Sequence, residues 1–259
     1  MSSRRLPAYF IGHGSPMNII RINRYTIDLK RTTTELPLPQ AIVVISAHWL
    51  TRGTFITATE KPEQIYDFYG FPSELYQIGY RAPGSPSTAE LVVKTVSDHL
   101  IKTDQKRGID HAAWAVLKFL YPQQNIPVLE LSLDMEQDPS FHFELGKKLA
   151  SLRSKGILLI GSGNIVHNLR EMEYDEQAEP FDWAVEFDQF VRDSIIKKNF
   201  AALIDYQSIG DLAARAVPTN EHYLPMLYIL GMMDEDEKAI SIHESIQNAS
   251  VSMRSFRIS

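Results

Sequence analysis

Four short apolar runs lie along the chain, and each is nearly free of polar residues. They are Ala8–Ile11, Ala41–Ser46, Val128–Leu131 and Ile157–Ile160. Continuous apolar runs of this length are typical of strands that are buried on both faces of a parallel sheet. Two further segments, Thr54–Thr57 and Val251–Ile258, alternate more between apolar and polar residues. This alternation predicts half-buried or edge strands.

Longer segments between these strands carry apolar residues at helical spacing. They are Thr88–Ile101, Ala112–Leu120, Phe141–Arg153, Phe181–Lys197 and Glu221–Met232. Pro139, which follows Asp138, is well placed to begin the third of these helices, because proline suits the first turn and aspartate caps it. Buried strands that alternate with helices predict the α/β fold class. We therefore expect residues 1–259 to form a single domain with a central, mainly parallel (mixed) sheet and helices on both faces.

The composition is that of a globular protein, and it argues against several classes of partner. The 259 residues are 44% hydrophobic, which is enough for a large core. The net charge of −6 and the scattered basic residues offer no surface for nucleic acid. No apolar run approaches the roughly 18 residues of a membrane-spanning helix, and no signal-peptide pattern is present. We expect a cytoplasmic protein without nucleic-acid or membrane partners; the sequence specifies no oligomeric state.

The absence of cysteine restricts the chemistry available to the chain. It excludes disulfides, thiolate zinc sites, iron–sulfur clusters and a cysteine nucleophile, so any metal must be held by nitrogen and oxygen ligands. The segment from Gly161 to Val166 begins like a dinucleotide-binding loop, but Val166 stands where the third glycine belongs. No Walker A sequence and no Gly-x-Ser-x-Gly elbow occurs, which removes the common nucleotide-binding and serine-hydrolase interpretations.

Three of the eight histidines closely follow predicted buried strands. His13 follows the first strand between Gly12 and Gly14, His48 follows the second, and His167 follows the strand that ends near Ile160. In parallel α/β sheets, binding sites lie beyond the carboxyl ends of the strands. We therefore expect these three imidazoles to meet at one edge of the sheet.

Two more histidines, His111 and His222, lie near predicted helix starts. Each of the five also has a purely structural explanation: His48 could pack with Trp49, and Asp110 or Thr219 could cap a helix. Five imidazoles at the ends of elements nevertheless exceed what packing requires. Because neutral imidazole is the commonest metal ligand and titrates near neutrality, they predict a metal with an acid–base partner.

The other three histidines, His99, His142 and His243, have no such placement. His99 and His142 fall on predicted helices, and His243 alternates like a solvent-facing strand position. We expect all three to be ordinary surface residues.

Five motifs occur in a fixed order along the chain. They are Gly12-His13-Gly14-Ser15-Pro16, Ser46-Ala47-His48-Trp49, Asp110-His111-x-x-Trp114, Gly161-Ser162-Gly163-Asn164-x-x-His167-Asn168-Leu169 and Glu221-His222-Tyr223-x-Pro225. Together they resemble the class III (LigB-type) extradiol ring-cleavage dioxygenases, in particular the 4,5-DOPA extradiol dioxygenase-like branch. The resemblance runs from about residue 8 to the C-terminus. One departure is Ala112, where the family usually has glycine, and we expect its methyl group to narrow the pocket or adjust the loop.

The resemblance implies one divalent metal ion, Zn²⁺ or Fe²⁺, with His13 and His48 as ligands. It implies a third ligand from the Glu221-His222 pair, for which we favour His222 and keep Glu221 as the second choice. The two-histidine, one-carboxylate set is typical of non-haem Fe(II). By the same resemblance, His167 is the acid–base residue, although it could also lie close enough to ligate zinc.

The resemblance further implies that His111 contacts the substrate or oxygen, with Asp110 orienting its ring. The implied activity is opening of the aromatic ring of a catechol (DOPA-like) substrate with O₂. Tyr66, Tyr69 and Phe71 could wall that substrate or simply pack against the sheet. Two alternatives stay open: a zinc-dependent enzyme of hydrolytic type, and a metal-binding member of the superfamily without catalysis.

Overall fold

Ten strands lie within the part of the chain that the structure, a computed structural model, describes: residues 5–34, 36–96 and 100–259. They are β1 (Ala8–Gly12), β2 (Ala41–Thr51), β3 (Thr54–Thr57), β4 (Ile101–Asp104), β5 (Val128–Asp134), β6 (Ile157–Gly163), β7 (Ala239–His243), β8 (Ile246–Gln247), β9 (Val251–Ser252) and β10 (Ser255–Ile258). Eight of them form one sheet in the order β4-β3-β5-β2-β6-β1-β10-β7, and β8 pairs with β9.

The centre of the large sheet is parallel. Strands β5, β2, β6 and β1 run in the same direction; β10 pairs antiparallel with β1, and β7 pairs antiparallel with β10. On the other side, β3 pairs antiparallel with β5 and parallel with β4. The sheet is therefore mixed and mainly parallel, which confirms the predicted fold class.

Eight α-helices surround the sheet within the described residues. They are α1 (Arg24–Thr32), α2 (Pro86–Val96), α3 (His111–Leu120), α4 (Pro139–Leu149), α5 (Asp182–Ile196), α6 (Phe200–Ile204), α7 (Asp211–Ala216) and α8 (Leu224–Gly231). The predicted cap of α4 is confirmed, because the Asp138 carboxylate accepts a hydrogen bond from the Phe141 N–H at 3.0 Å. Among these residues, no helix combines the length and the apolar character that crossing a bilayer requires.

Successive residues of the central strands face two different cores. Phe10 belongs to the core that includes α4, α5 and α8, whereas Tyr9 belongs to the core that includes α1 and α3. Val43 and Ile42 of β2 divide in the same way. Because both faces are covered by helices, these strands are continuous apolar runs in the sequence.

Several boundaries differ from the predictions. The helix predicted to reach Ile101 ends at Val96 before residues 97–99, which lie outside the described part, and Ile101 begins β4. Helix α8 begins at Leu224, three residues later than predicted, so Thr219 does not cap it. The segment predicted as one strand, Val251–Ile258, divides into β9 and β10. Strand β10 is not an edge strand, because β1 and β7 pair with its two sides.

The surface prediction is wrong for His142 and His243, which are 0% and 4% exposed. Each of the two buried imidazoles has a polar partner. The Nδ1 atom of His142 lies 3.1 Å from the Tyr228 hydroxyl, and that of His243 lies 2.8 Å from the Asp28 carboxylate. Such hydrogen bonds offset the cost of burying an imidazole. His99 lies outside the described residues.

Candidate metal centre and active site

The carboxyl ends of three neighbouring parallel strands bring histidines together. His13 directly follows β1, His48 lies near the end of β2, and His167 lies in the loop after β6. The ring centroids of His13 and His48 are 5.1 Å apart. His222, from the loop before α8, joins them, with ring centroids 5.2 Å from His13 and 3.5 Å from His167.

An irregularity in β2 accompanies the placement of His48. Between Ile45 and Leu50, β2 advances five residues while its partner β5 advances only two, from Leu131 to Leu133. The extra residues form a bulge, and bulges redirect side chains near active sites. The strand therefore continues past the predicted end at Ser46, and His48 belongs to it.

The two glycines beside His13 are both required by the local backbone. Gly14 has φ of +59°, a conformation that side chains other than glycine rarely adopt. A Cβ atom on Gly12 would lie 2.9 Å from the Met253 carbonyl carbon. The chain can therefore turn tightly at the end of β1 and direct His13 toward the other histidines.

The segment that carries His222 packs closely on the end of β6. A Cβ atom on Gly163 would lie 2.1 Å from the His222 carbonyl oxygen, and the Asn164 N–H donates to this oxygen at 2.8 Å. A Cβ atom on Gly161 would lie 2.5 Å from the Pro225 carbonyl oxygen. The glycines that resemble a dinucleotide-binding loop thus allow His222 to approach the sheet.

Carboxylates hold the outer nitrogens of two of these rings. The Nδ1 atom of His48 lies 2.7 Å from Asp67 Oδ2, and that of His222 lies 3.1 Å from Glu221 Oε1. A carboxylate accepts hydrogen bonds, so each ring carries its proton on Nδ1. The Nε2 atom of each ring therefore presents a lone pair.

For His13, a hydroxyl rather than a carboxylate accepts the hydrogen bond from Nδ1. Its Nδ1 atom lies 3.0 Å from Ser162 Oγ, and this hydroxyl donates its single proton to the Ala112 carbonyl at 2.5 Å. Ser162 can then only accept from His13, which places the His13 proton on Nδ1 and a lone pair on Nε2. Ala112 is fully buried behind this contact.

The three Nε2 atoms converge. His48 Nε2 lies 3.3 Å from His13 Nε2 and 3.2 Å from His222 Nε2. Lone pairs of neutral rings at this distance repel one another unless a proton or a metal ion lies between them. Two ligands at about 2.0–2.1 Å from a tetrahedral ion are about 3.4 Å apart. The three rings therefore fit one divalent metal ion.

Burial keeps two of these rings neutral. It lowers the pKa of His13 and His222 well below the usual value, and the neighbouring imidazoles lower it further. Burial also opposes the charged form of His48, but its hydrogen bond with Asp67 and the nearby carboxylates outweigh burial and raise its pKa. His48 thus has the most favourable surroundings for positive charge.

His167 lies against the metal-binding candidates. Its ring stacks on His222 with an interplanar angle of 12°. Burial lowers its pKa to about 4, so the ring is neutral near pH 7. Among the described residues, none donates to or accepts from its ring nitrogens. His167 is therefore available to exchange a proton with a bound molecule.

Asp67, which the sequence interpretation missed, orients His111. The Nδ1 atom of His111 lies 2.9 Å from Asp67 Oδ1, and its ring centroid lies 4.3 Å from that of His48. The prediction that Asp110 orients this ring is wrong, because the Asp110 carboxylate accepts from Ser46 and Arg107 instead. An acidic residue inside the aromatic run of residues 66–72 was the only indication in the sequence.

That aromatic run mainly forms a packed loop. Tyr66 packs on Trp114, with ring centroids 5.5 Å apart, and its hydroxyl donates to a backbone carbonyl. Tyr69 is 92% exposed, and Phe71 packs on Phe68. Phe68 itself lies 5.3 Å from the His111 ring. Packing, the simpler of the two interpretations, therefore describes Tyr66 and Phe71.

Comparison with known proteins identifies the family of this chain. Residues 22–257 match the family model described as the catalytic LigB subunit of aromatic ring-opening dioxygenase. The 4,5-DOPA dioxygenase extradiol of Escherichia coli (strain K12) is 43% identical over 100% of this chain and 96% of its own length. The protein of the same name from Beta vulgaris is 34% identical over 96% of this chain and 95% of its own.

Among solved structures, the crystal structure of an uncharacterized protein from Escherichia coli K12 has a TM-score of 0.86 and 40% identity. The match covers 98% of this chain and 100% of that one. The agreement thus extends over the whole chain in both sequence and fold. The chain belongs to the LigB family of extradiol ring-cleavage dioxygenases, which are metal-dependent oxidoreductases.

Proposed function

We propose that residues 1–259 form one cytoplasmic catalytic domain that opens the aromatic ring of a DOPA-like catechol with O₂. In this proposal the Nε2 atoms of His13, His48 and His222 hold the metal ion. The observation that carries it is the approach of His48 Nε2 to the Nε2 atoms of His13 and His222, at 3.3 and 3.2 Å, in a site where all three Nδ1 atoms donate outward. Relatives named 4,5-DOPA dioxygenase extradiol support the choice of substrate.

The ion is Zn²⁺ or Fe²⁺ in this proposal, since imidazole nitrogen suits both. Glu221 is left outside the set of ligands because its Oε1 atom accepts from His222 Nδ1, whereas the nitrogen of that ring that approaches His48 is Nε2. When bound, a redox-active ion would supply an electron path between a catechol and O₂. The protein contributes the placement of both reactants.

His167 takes the proton from a catechol hydroxyl oxygen and returns it when the ring opens. Three features support this role: the ring is neutral near pH 7, its nitrogens are unpaired among the described residues, and it stacks on His222. Proton transfer by a positioned histidine is a common source of rate enhancement. His111 accepts a hydrogen bond from the substrate at Nε2, because its Nδ1 proton is donated to Asp67.

Oxygen consumption after anaerobic loading with Fe²⁺ tests this function. We expect uptake of O₂ with at least one of a panel of catechols that includes DOPA. The ring-opened product should be two oxygen atoms heavier than the substrate, and both atoms should come from labelled O₂. A catechol methylated on one hydroxyl is the matched control and should not react. No uptake with any catechol, despite stoichiometric iron, would overturn the proposal.

The donor set also suits a second function. Three imidazoles are the protein ligands of catalytic zinc in some hydrolytic and hydrating enzymes. The zinc-loaded protein should therefore be assayed with activated esters alongside the iron-loaded protein with catechols. Ester hydrolysis that depends on zinc and on His167, without oxygen uptake, would favour the hydrolytic function. Stoichiometric metal without either reaction would favour a metal-binding protein.

A further inference from the structure

We infer that Asp67 is a positioning residue that fixes the tautomers of a metal ligand and of the substrate-contacting histidine together. The inference rests on the proposed roles of His48 and His111. Asp67 Oδ2 accepts from His48 Nδ1 at 2.7 Å, and Oδ1 accepts from His111 Nδ1 at 2.9 Å. Oδ1 also accepts from the His111 backbone N–H at 2.9 Å. One carboxylate thus receives three N–H donors from two histidines.

This arrangement permits only one tautomer at each ring. Both His48 and His111 must carry a proton on Nδ1 to satisfy Asp67, so both direct the Nε2 lone pair away from it. For His48 that lone pair faces the metal ligands, because its Nε2 atom is the one that approaches His13. A single side chain therefore sets the ligand and the substrate contact at once.

The backbone around Asp67 is tied to the segment that carries His111. The Ile109 N–H donates to the Glu63 carbonyl at 2.7 Å, and the Ile65 N–H donates to the Ile109 carbonyl at 2.8 Å. The Trp114 indole N–H donates to the Ile65 carbonyl at 2.8 Å. These bonds hold the loop in register with the start of α3, so Asp67 is placed by backbone contacts on both elements.

Replacement of Asp67 by asparagine keeps the size of the side chain but changes its hydrogen bonds. It therefore distinguishes the fixing of tautomers from a packing role. An amide has one oxygen, and the His111 backbone N–H, which cannot change its polarity, orients that oxygen toward His111. The amide NH₂ then faces His48 Nδ1 and can only donate. His48 must move its proton to Nε2, where the proton occupies the lone pair needed by the metal.

The experiment compares zinc affinity, by chelator competition, in wild type, Asp67→Asn, Asp67→Ala and Glu63→Gln. Glu63→Gln is the matched control because it also removes one carboxylate from this loop. The Glu63 side chain makes no hydrogen bond among the described residues. We expect Asp67→Asn to lose about 10–100-fold in affinity, as loss of an outer hydrogen-bond partner usually does. The loss should be at least as large as in Asp67→Ala, which leaves both tautomers available. Glu63→Gln should stay within about two-fold of wild type.

Nitrogen-15 spectra of the metal-free protein give a second readout that does not depend on turnover. At a pH at which both rings are neutral, wild type should show His48 and His111 protonated on Nδ1, and Asp67→Asn should show His48 protonated on Nε2. Unchanged tautomers and zinc affinity in Asp67→Asn, or an asparagine variant clearly milder than alanine, would overturn the inference. Neither readout uses a catechol, so a failed oxygen assay of wild type would count against the proposed function alone.

Discussion

At the scale of single residues, the imidazoles of the site differ in their hydrogen-bond partners. His13 donates to a hydroxyl, whereas His48 and His222 donate to carboxylates, which make an imidazole a stronger electron donor. His167 has no such partner among the described residues, and its pKa is lowered to about 4 by burial. The three proposed ligands and the proposed acid–base group are thus distinguished by what their rings contact.

Replacement of His167 by alanine tests that division. We expect His167→Ala to retain stoichiometric metal while turnover falls by about 10²–10⁴-fold, because proton transfer is lost and the Nε2 cluster is kept. The control is His13→Ala, which removes one of the three converging lone pairs and should lose the metal on dialysis. Metal analysis and oxygen uptake on the same samples give both values. An empty site in His167→Ala would mean that His167 is itself a ligand.

The buried His142, which is not one of the site histidines, makes stability depend on pH. Burial lowers the pKa of His142 to about 4, although nearby Asp134 and Asp138 partly offset it. The unfolded chain binds this proton near pH 6.5, so the folded state loses stability as the pH falls from about 6.5 toward 4. The loss is at most about 3 kcal/mol. His142→Gln should show a smaller drop in unfolding free energy between pH 7.5 and 5. Parallel curves for both proteins would contradict this account.

The contacts of single side chains were harder to predict from the sequence than the elements or the fold class. The sequence placed His13, His48 and His167 at strand ends, and the structure brings them together. Asp67 could not be predicted because its role depends on contacts with His111, 44 positions away. The surface assignment of His142 and His243 failed for the same reason, since their polar partners come from distant elements.

At the scale of elements, the site depends on close approach between β6 and the loop before α8. Apolar periodicity located β6, but it could not show that Gly163 serves the loop rather than a nucleotide. It also could not show the bulge in β2, because a bulge is defined by the register with β5. Local patterns therefore predicted the elements, and the contacts between elements decided their ends.

Adding a single methyl group at Gly163 tests the close packing between β6 and the loop before α8. A Cβ atom there would lie 2.1 Å from the His222 carbonyl oxygen, which is backbone and cannot swing away. We expect Gly163→Ala to lower stability by about 1–3 kcal/mol and to weaken zinc binding, because His222 must move. Gly79→Ala is the matched control, since a Cβ atom at Gly79 would have nothing within 4 Å. Urea unfolding measures the stability, and chelator titration measures the zinc affinity. Equal stability and equal zinc affinity in the two variants would refute the prediction.

At the scale of the whole molecule, the fold class followed from the sequence because both sheet faces are covered. Continuous apolar strands such as β1 and β6 require helices on each side, and the two cores supply them. The order of the strands did not follow, since nothing local specifies that β10 pairs with β1. The alternation that predicted a half-buried or edge strand at Val251–Ile258 could not show that β10 pairs on both sides.

The pairing of β1 with β10 has a consequence for the order of events during folding. The Gly12 N–H donates to the Ser255 hydroxyl across 243 positions, and Met253 packs against Gly14. Contacts between such distant segments form late, because a long loop must close first. His13 and His222, two of the proposed ligands, also lie 209 positions apart, so a metal ion would meet the complete proposed set only late in folding. It should slow unfolding of the finished protein without accelerating its folding, as expected for interactions absent from the transition state.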